Sequence, residues 1–207
     1  MTIIGVIGAG QMGAGIAQVS AQAGYRTLLS DISLDRAEMG KAGIAKQLAR
    51  AVEKGKVEAA AATAALALIE PVADHGAMAP CDLVIEAATE REDIKRQIFA
   101  SVGAHLSDQA VLASNTSSIP ITRLAQAAPA ADRFIGVHFF NPVPVMGLIE
   151  VIRGLATSDD TVARVESYGQ SLGKAIVHAQ DAPGFIVNRI LMPMLNEACF
   201  ALGEGVA

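Results

Sequence analysis

The chain has 207 residues, a net charge of −5 and a mean hydropathy of +0.39, to which 39 alanines contribute much. No apolar run approaches the ~18 residues of a membrane span, and the Met-Thr-Ile-Ile start has no basic n-region or small-residue cleavage site, so neither a membrane segment nor a secretory leader is expected. The acid excess argues against nucleic acid as a partner, and Cys81 and Cys199, far apart in apolar surroundings, read as buried thiols of a reducing cytoplasmic compartment.

Strand-like and helix-like segments alternate, the pattern of an α/β fold with a mostly parallel sheet. Residues 2–7 form a first apolar strand, 11–24 a small-residue helix stopped by glycine, and 26–30 a second strand ending at Asp31. Residues 34–68 are too long for a simple crossover; the Lys54-Gly55-Lys56 break predicts two helices folded back as a hairpin. Lys46, Arg50 and Lys54 recur every four residues there and form one basic stripe. Further strands are predicted at 82–87, 110–113, 134–139, 148–152 and 175–178, and helices at 92–105 and 160–172. A boundary falls near Ala182-Pro183-Gly184, dividing the chain into residues 1–182 and 183–207. Pro183 is expected at the first position of a helix that runs from Phe185 to Leu202 and is apolar on nearly every side.

Gly8-Ala9-Gly10-Gln11-Met12-Gly13 follows the first strand and opens the first helix. Gly8 permits the tight turn, Gly10 lets a pyrophosphate approach the backbone, and Gly13 lets helix and strand pack closely. The helix N-terminus offers unpaired amides to the phosphates. Asp31 closes the second strand, where a carboxylate takes both hydroxyls of an adenosine ribose and repels a 2′-phosphate. Together these predict a Rossmann-type doubly wound domain that binds NAD rather than NADP.

An NAD enzyme oxidising an alcohol needs a base near neutral pKa, which imidazole supplies. His75 and His105 lie in polar stretches and are expected at the surface; His178 ends a short strand. His138 sits at the C-terminal end of a strand, where the ligand crevice of such sheets lies. Glu150 stands inside an otherwise apolar strand and needs a partner. The prolines at 142 and 144 allow the chain to turn back and bring Glu150 against His138, fixing its tautomer as in the hydrolase triad. The run Ser114-Asn115-Thr116-Ser117-Ser118 offers donors to a substrate oxygen, or a helix cap through Ser118.

At these residues the sequence resembles the L-3-hydroxyacyl-CoA dehydrogenase family, in particular its stand-alone short-chain 3-hydroxybutyryl-CoA members. The motifs are Gly8–Gly13, Val84-Ile85-Glu86-Ala87, Ser114–Ser118, His138–Val145 with Leu148–Val151, and Asp181–Arg189. The resemblance implies His138 as catalytic base, Glu150 as its partner, and Ser117 and Asn188 as groups bonding the substrate's 3-oxygen and thioester region. It places Asp31, Glu90, Lys95, Asn115, Ser117 and Asn141 along the NAD site. The helical hairpin corresponds to the family's CoA-facing element, so Lys46, Arg50, Lys54 and Lys56 become candidates for CoA phosphates. No metal is implied. The implied reaction interconverts short 3-hydroxyacyl-CoA and 3-oxoacyl-CoA in fatty-acid and butanoate metabolism. The alternatives are a dehydrogenase of a small hydroxy or sugar acid on the same fold, and a non-enzymatic NAD-binding protein. Family members also carry an all-helical second domain that forms the dimer; here its first helix alone is expected, with a homodimer or larger homo-oligomer covering that helix.

Overall fold

The computed structural model describes residues 2–206. Its strands are β1 (Ile3–Ile7), β2 (Arg26–Ser30), β3 (Ile69–Val72), β4 (Leu83–Glu86), β5 (Val111–Ser114), β6 (Phe134–Phe139), β7 (Leu148–Ile152) and β8 (Ala175–Ala179). They form one sheet in the order β3-β2-β1-β4-β5-β6-β7-β8. All neighbours run parallel except β6 and β7, which are antiparallel. The helices are α1 (Gln11–Gln22), α2 (Leu34–Glu53), α3 (Ala59–Ala67), α4 (Glu92–Gly103), α5 (Ile121–Leu124), α6 (Asp159–Ser171) and α7 (Val187–Gly203).

The central strands are buried on both faces, their successive side chains pointing to opposite sides and each side meeting a core. Ile4, Val6, Leu29, Leu83, Ile85 and Val111 enter one core with residues of α1, α2, α3 and α6. Ile7, Leu28, Val84 and Leu112 enter the other with Phe99 and Val102 of α4 and Ile121 and Leu124 of α5. This is the doubly wound arrangement expected from the alternation of segments. Strand order reverses between β1 and β4, which opens a crevice at the C-terminal ends of the strands.

The hairpin of α2 and α3 breaks where expected, around Gly55 at φ +64°. Four differences from the sequence reading have physical causes. The edge strand β3 went unpredicted because it is four residues long and contains Pro71. Pro183 does not start α7: the Phe185 amide closes a turn onto Ala182 O at 2.9 Å, and the helix begins at Val187. Ser118 does not cap the following helix. The carboxylate of Asp181, sixty residues away, accepts the Ile121 and Thr122 amides at 2.7 and 2.8 Å. Of the two thiols, Cys199 is exposed on α7 and only Cys81 is buried. Burial, reinforced by nearby Asp82, pushes the Cys81 thiol up to about 12. A side chain at Gly5 would meet that sulfur and Met78 Sδ, at 3.0 and 2.7 Å, which explains a glycine in mid-strand.

Candidate active site

Gly8 leaves β1 at φ +101°, and a Cβ there would lie 2.6 Å from Ala87 O. A Cβ at Gly13 would lie 1.7 Å from Gly8 O. Both positions therefore require glycine for close backbone approach. Gly10 differs: a Cβ there would meet nothing within 4 Å, the clearance that a pyrophosphate at this backbone needs. Gln11 and Met12 open α1, which has no side-chain cap, so its first-turn amides are available to an anion. Asp31 ends β2 and is tied to the glycine loop, its Oδ2 accepting the Ala9 amide at 2.6 Å and its Oδ1 the Ile32 amide at 2.8 Å. Arg36 Nε reaches within 4.0 Å of Asp31 Oδ1. A cavity of about 420 Å³ adjoins Asp31 and is lined also by Gly8, Ile32, His75, Ile94 and Ser101. His75 is thus not simply at the surface as expected. It is half-buried with Nδ1 2.9 Å from Ser101 Oγ. Burial, then the neighbouring His105, lowers its pKa.

The floor of the crevice is a buried charge network. Lys95 projects from α4 with its side chain 1% exposed, Nζ 2.6 Å from Glu86 Oε2 and 3.6 Å from Glu90 Oε2. Glu86 is fully buried and also accepts the Ala88 amide and the Ser114 hydroxyl. Glu90, half-exposed, accepts the Thr116 hydroxyl at 2.6 Å and the Ser117 amide at 2.8 Å through Oε1. It thereby fastens the serine-rich loop after β5 to the loop after β4. Asn115 Oδ1 accepts the Phe139 amide at 2.8 Å, locking that loop to β6.

His138 and Glu150 face each other as register partners across β6 and β7. His138 Nδ1 lies 2.7 Å from Glu150 Oε2, and both side chains are buried. A carboxylate only accepts, so it holds the proton on Nδ1 and leaves Nε2 free as a base. Nε2 lies 3.2 Å from Ser117 Oγ. Ser117 and Asn188 both line a cavity of about 390 Å³ with Pro183, Met192 and Pro193. The structure therefore gathers His138, Glu150, Ser117 and Asn188 in one place. Asn141 is exposed in the turn after β6. The stripe of Lys46, Arg50 and Lys54, with Lys56, is exposed on the hairpin, outside this cluster. Beside the hairpin, a groove of about 290 Å³ runs between α1 and α2, lined by Gly10, Gln11, Arg36, Gly40 and Gln47.

Four residues that position the site had been given no role from the sequence, although Glu86, Asp181 and Phe185 lie in the motifs that carry the resemblance. Glu86 carried the same signal as Glu150, a carboxylate inside an apolar strand. Lys174 is buried and donates to Val143 O and Met146 O at 2.8 and 2.7 Å, pinning the turn that joins His138 to Glu150; burial lowers its pKa. Asp181 clamps α5 beside the serine loop. Phe185, at φ +51°, sets its ring edge-on to His138 with centroids 5.6 Å apart. Among the described residues no group of His, Cys, Asp or Glu could hold a metal ion, and no helix is long and apolar enough to cross a membrane.

Two family models match the chain in succession. Residues 3–182 match the model of the 3-hydroxyacyl-CoA dehydrogenase NAD binding domain. Residues 184–207 match that of the 3-hydroxyacyl-CoA dehydrogenase C-terminal domain. The chain is 52% identical to 3-hydroxybutyryl-CoA dehydrogenase of Bradyrhizobium diazoefficiens over 98% of its own length and 69% of the relative's. It is 50% identical to a probable 3-hydroxybutyryl-CoA dehydrogenase of Deinococcus radiodurans over 98% and 73%. Among solved structures, (S)-3-hydroxybutyryl-CoA dehydrogenase from Ralstonia eutropha superposes with a TM-score of 0.97 at 47% identity. It covers all of this chain, which spans 73% of that one. A glycine loop with its acid, an imidazole backed by a buried carboxylate, and a family match running through both place the chain in the 3-hydroxyacyl-CoA dehydrogenase family.

Proposed function

We propose that this protein interconverts short-chain 3-hydroxyacyl-CoA and 3-oxoacyl-CoA thioesters, with NAD as hydride carrier and His138 and Glu150 as the acid–base pair. The observation that carries the proposal is the Glu150–His138–Ser117 alignment, in which the carboxylate faces Nδ1 and the hydroxyl faces Nε2. Bound NAD would supply the acceptor for the hydride of C3. The open face of Gly10, the uncapped start of α1 and the cavity at Asp31 fit its pyrophosphate and adenosine. In oxidation, His138 Nε2 takes the hydroxyl proton while Glu150 stabilises the imidazolium. In reduction, the imidazolium returns the proton to the 3-oxygen. Ser117 and Asn188 supply hydrogen bonds to the substrate's oxygens from the cavity they share. Lys46, Arg50, Lys54 and Lys56 meet the CoA phosphates. Such substrates belong to fatty-acid and butanoate metabolism.

Oxidation of NADH by acetoacetyl-CoA tests the reading. We expect turnover with the thioester and none with free acetoacetate; turnover of the free acid alone would assign the site to small hydroxy acids. Loss of both, with NADH still bound, would leave only a binding protein.

Cofactor choice gives a separate test. Asp31 should favour NADH over NADPH, because its carboxylate repels a 2′-phosphate. Asp31→Ser should narrow the preference, the more so because Arg36 already lies beside the position. Equal dissociation constants for the two cofactors in wild type, by fluorescence titration, would overturn the role given to Asp31.

The same reading treats residues 1–182 as the NAD-binding domain and 183–207 as the start of a helical unit. In α7, Ile190, Met192, Leu195 and Phe200 are all at least half exposed. Burying each such side chain is worth about 1.5–3 kcal/mol, so copies of the chain should associate through this helix. A clean monomer in sedimentation at micromolar concentration would refute that.

A further inference from the structure

Glu150 has two carboxylate oxygens and the dyad uses one. Oε2 meets His138, while Oε1 accepts the amides of Ile186 and Val187 at 3.0 and 2.9 Å. Val187 is the first residue of α7 and Ile186 the residue before it. Both amides belong to the set that a helix start leaves without an intrahelical acceptor. The segment leading to them is bent through two left-handed residues, Gly184 at φ +80° and Phe185 at φ +51°. Such a conformation is costly for phenylalanine and persists only where surrounding contacts hold it. Those contacts converge on the dyad, with the Phe185 ring on His138 and the next two amides on Glu150. Asn188 follows immediately and lines the same cavity as Ser117.

From this geometry we infer that Glu150 is a positioning residue for Asn188, holding the first turn of α7 through the carboxylate oxygen that His138 does not use. One side chain thus sets both the tautomer of the base and the place of a substrate-binding group. The inference rests on the proposed function for the role of Asn188, but the anchoring itself can be read without any activity.

Amide hydrogen exchange supplies that reading. In the wild-type chain the Ile186 and Val187 amides should be protected at least tenfold over that of Asn188, which lies in the same turn and has no acceptor among the described residues. Glu150→Gln should keep this protection, because an amide oxygen can accept both bonds. Its NH₂ then faces His138 Nδ1 and forces the wrong tautomer, so kcat should fall at least a hundredfold with KM for acetoacetyl-CoA within about twofold. Glu150→Ala should lose the protection and also raise KM at least fivefold. Wild-type exchange at Ile186 and Val187 as fast as at Asn188 would overturn the anchoring even if Glu150→Ala does not fold. Loss of protection in Glu150→Gln, or retained protection and unchanged KM in Glu150→Ala, would do the same. Protection as expected without thioester turnover in wild type would sink the proposed function and leave the anchor standing.

Discussion

His138→Gln is expected to lower turnover of acetoacetyl-CoA by about 10²–10⁴-fold, the usual worth of a positioned general acid–base. NADH affinity should hardly change, because the glycine loop, Asp31 and the cavity beside them lie at β1 and β2, whereas His138 is on β6. Glutamine preserves bulk and can still donate to Glu150, so the Glu150 carboxylate keeps a partner and the β6–β7 pair its register. What disappears is a group able to take a proton at Nε2 and return it. Steady-state kinetics with matched cofactor titrations checks both halves. Near-normal turnover would remove His138 from the chemistry, and a parallel collapse of NADH binding would point to structural damage.

The second large effect is on stability. Lys95→Met should destabilise the fold by about 3–5 kcal/mol, the cost of leaving a buried charge without its partner. Glu86 would then keep only the Ala88 amide and the Ser114 hydroxyl around a carboxylate with no access to water. A typical domain has about 5–15 kcal/mol of net stability, so the variant should unfold at a much lower urea midpoint. Glu86→Leu combined with Lys95→Met should recover much of the loss, since apolar replacement of a whole buried pair is often neutral or better. A single-variant loss below about 1 kcal/mol would mean that the pair is hydrated or readily replaced.

Much of this architecture is legible in the residues themselves. β6 and β7 fall where short, mainly apolar runs predict them, because strands buried on both faces are nearly continuous in hydrophobicity. The glycine loop is readable because each glycine answers a separate steric demand. Glu150 is readable because a lone carboxylate among Leu148, Ile149, Val151 and Ile152 must be paired. The same logic applied to Glu86 would have paired it with Lys95, nine residues on in the next helix. Contacts that depend on distant chain segments were not legible. Asp181 reaches α5 across sixty residues, and Lys174 reaches the carbonyls of Val143 and Met146. Neither has a local spacing that announces it. The start of α7 was misplaced because Pro183 suits a helix start in isolation, while Gly184 and Phe185 adopt left-handed angles that only the folded dyad supports.

Pro71 gives the outer strand of the sheet a further property. Thr27 N–H donates to Leu68 O at 2.8 Å, so main-chain groups of Leu68, Glu70 and Val72 turn toward β2, and by alternation those of Ile69 and Pro71 turn outward. The proline therefore deletes a donor on the open side while leaving the inner ladder intact. A stray strand arriving at this border would find one of its few anchoring points missing, which discourages stacking of sheets from molecule to molecule. Pro71→Val, which restores the outward amide, should by this account make concentrated samples more prone to fibrillar growth on prolonged incubation.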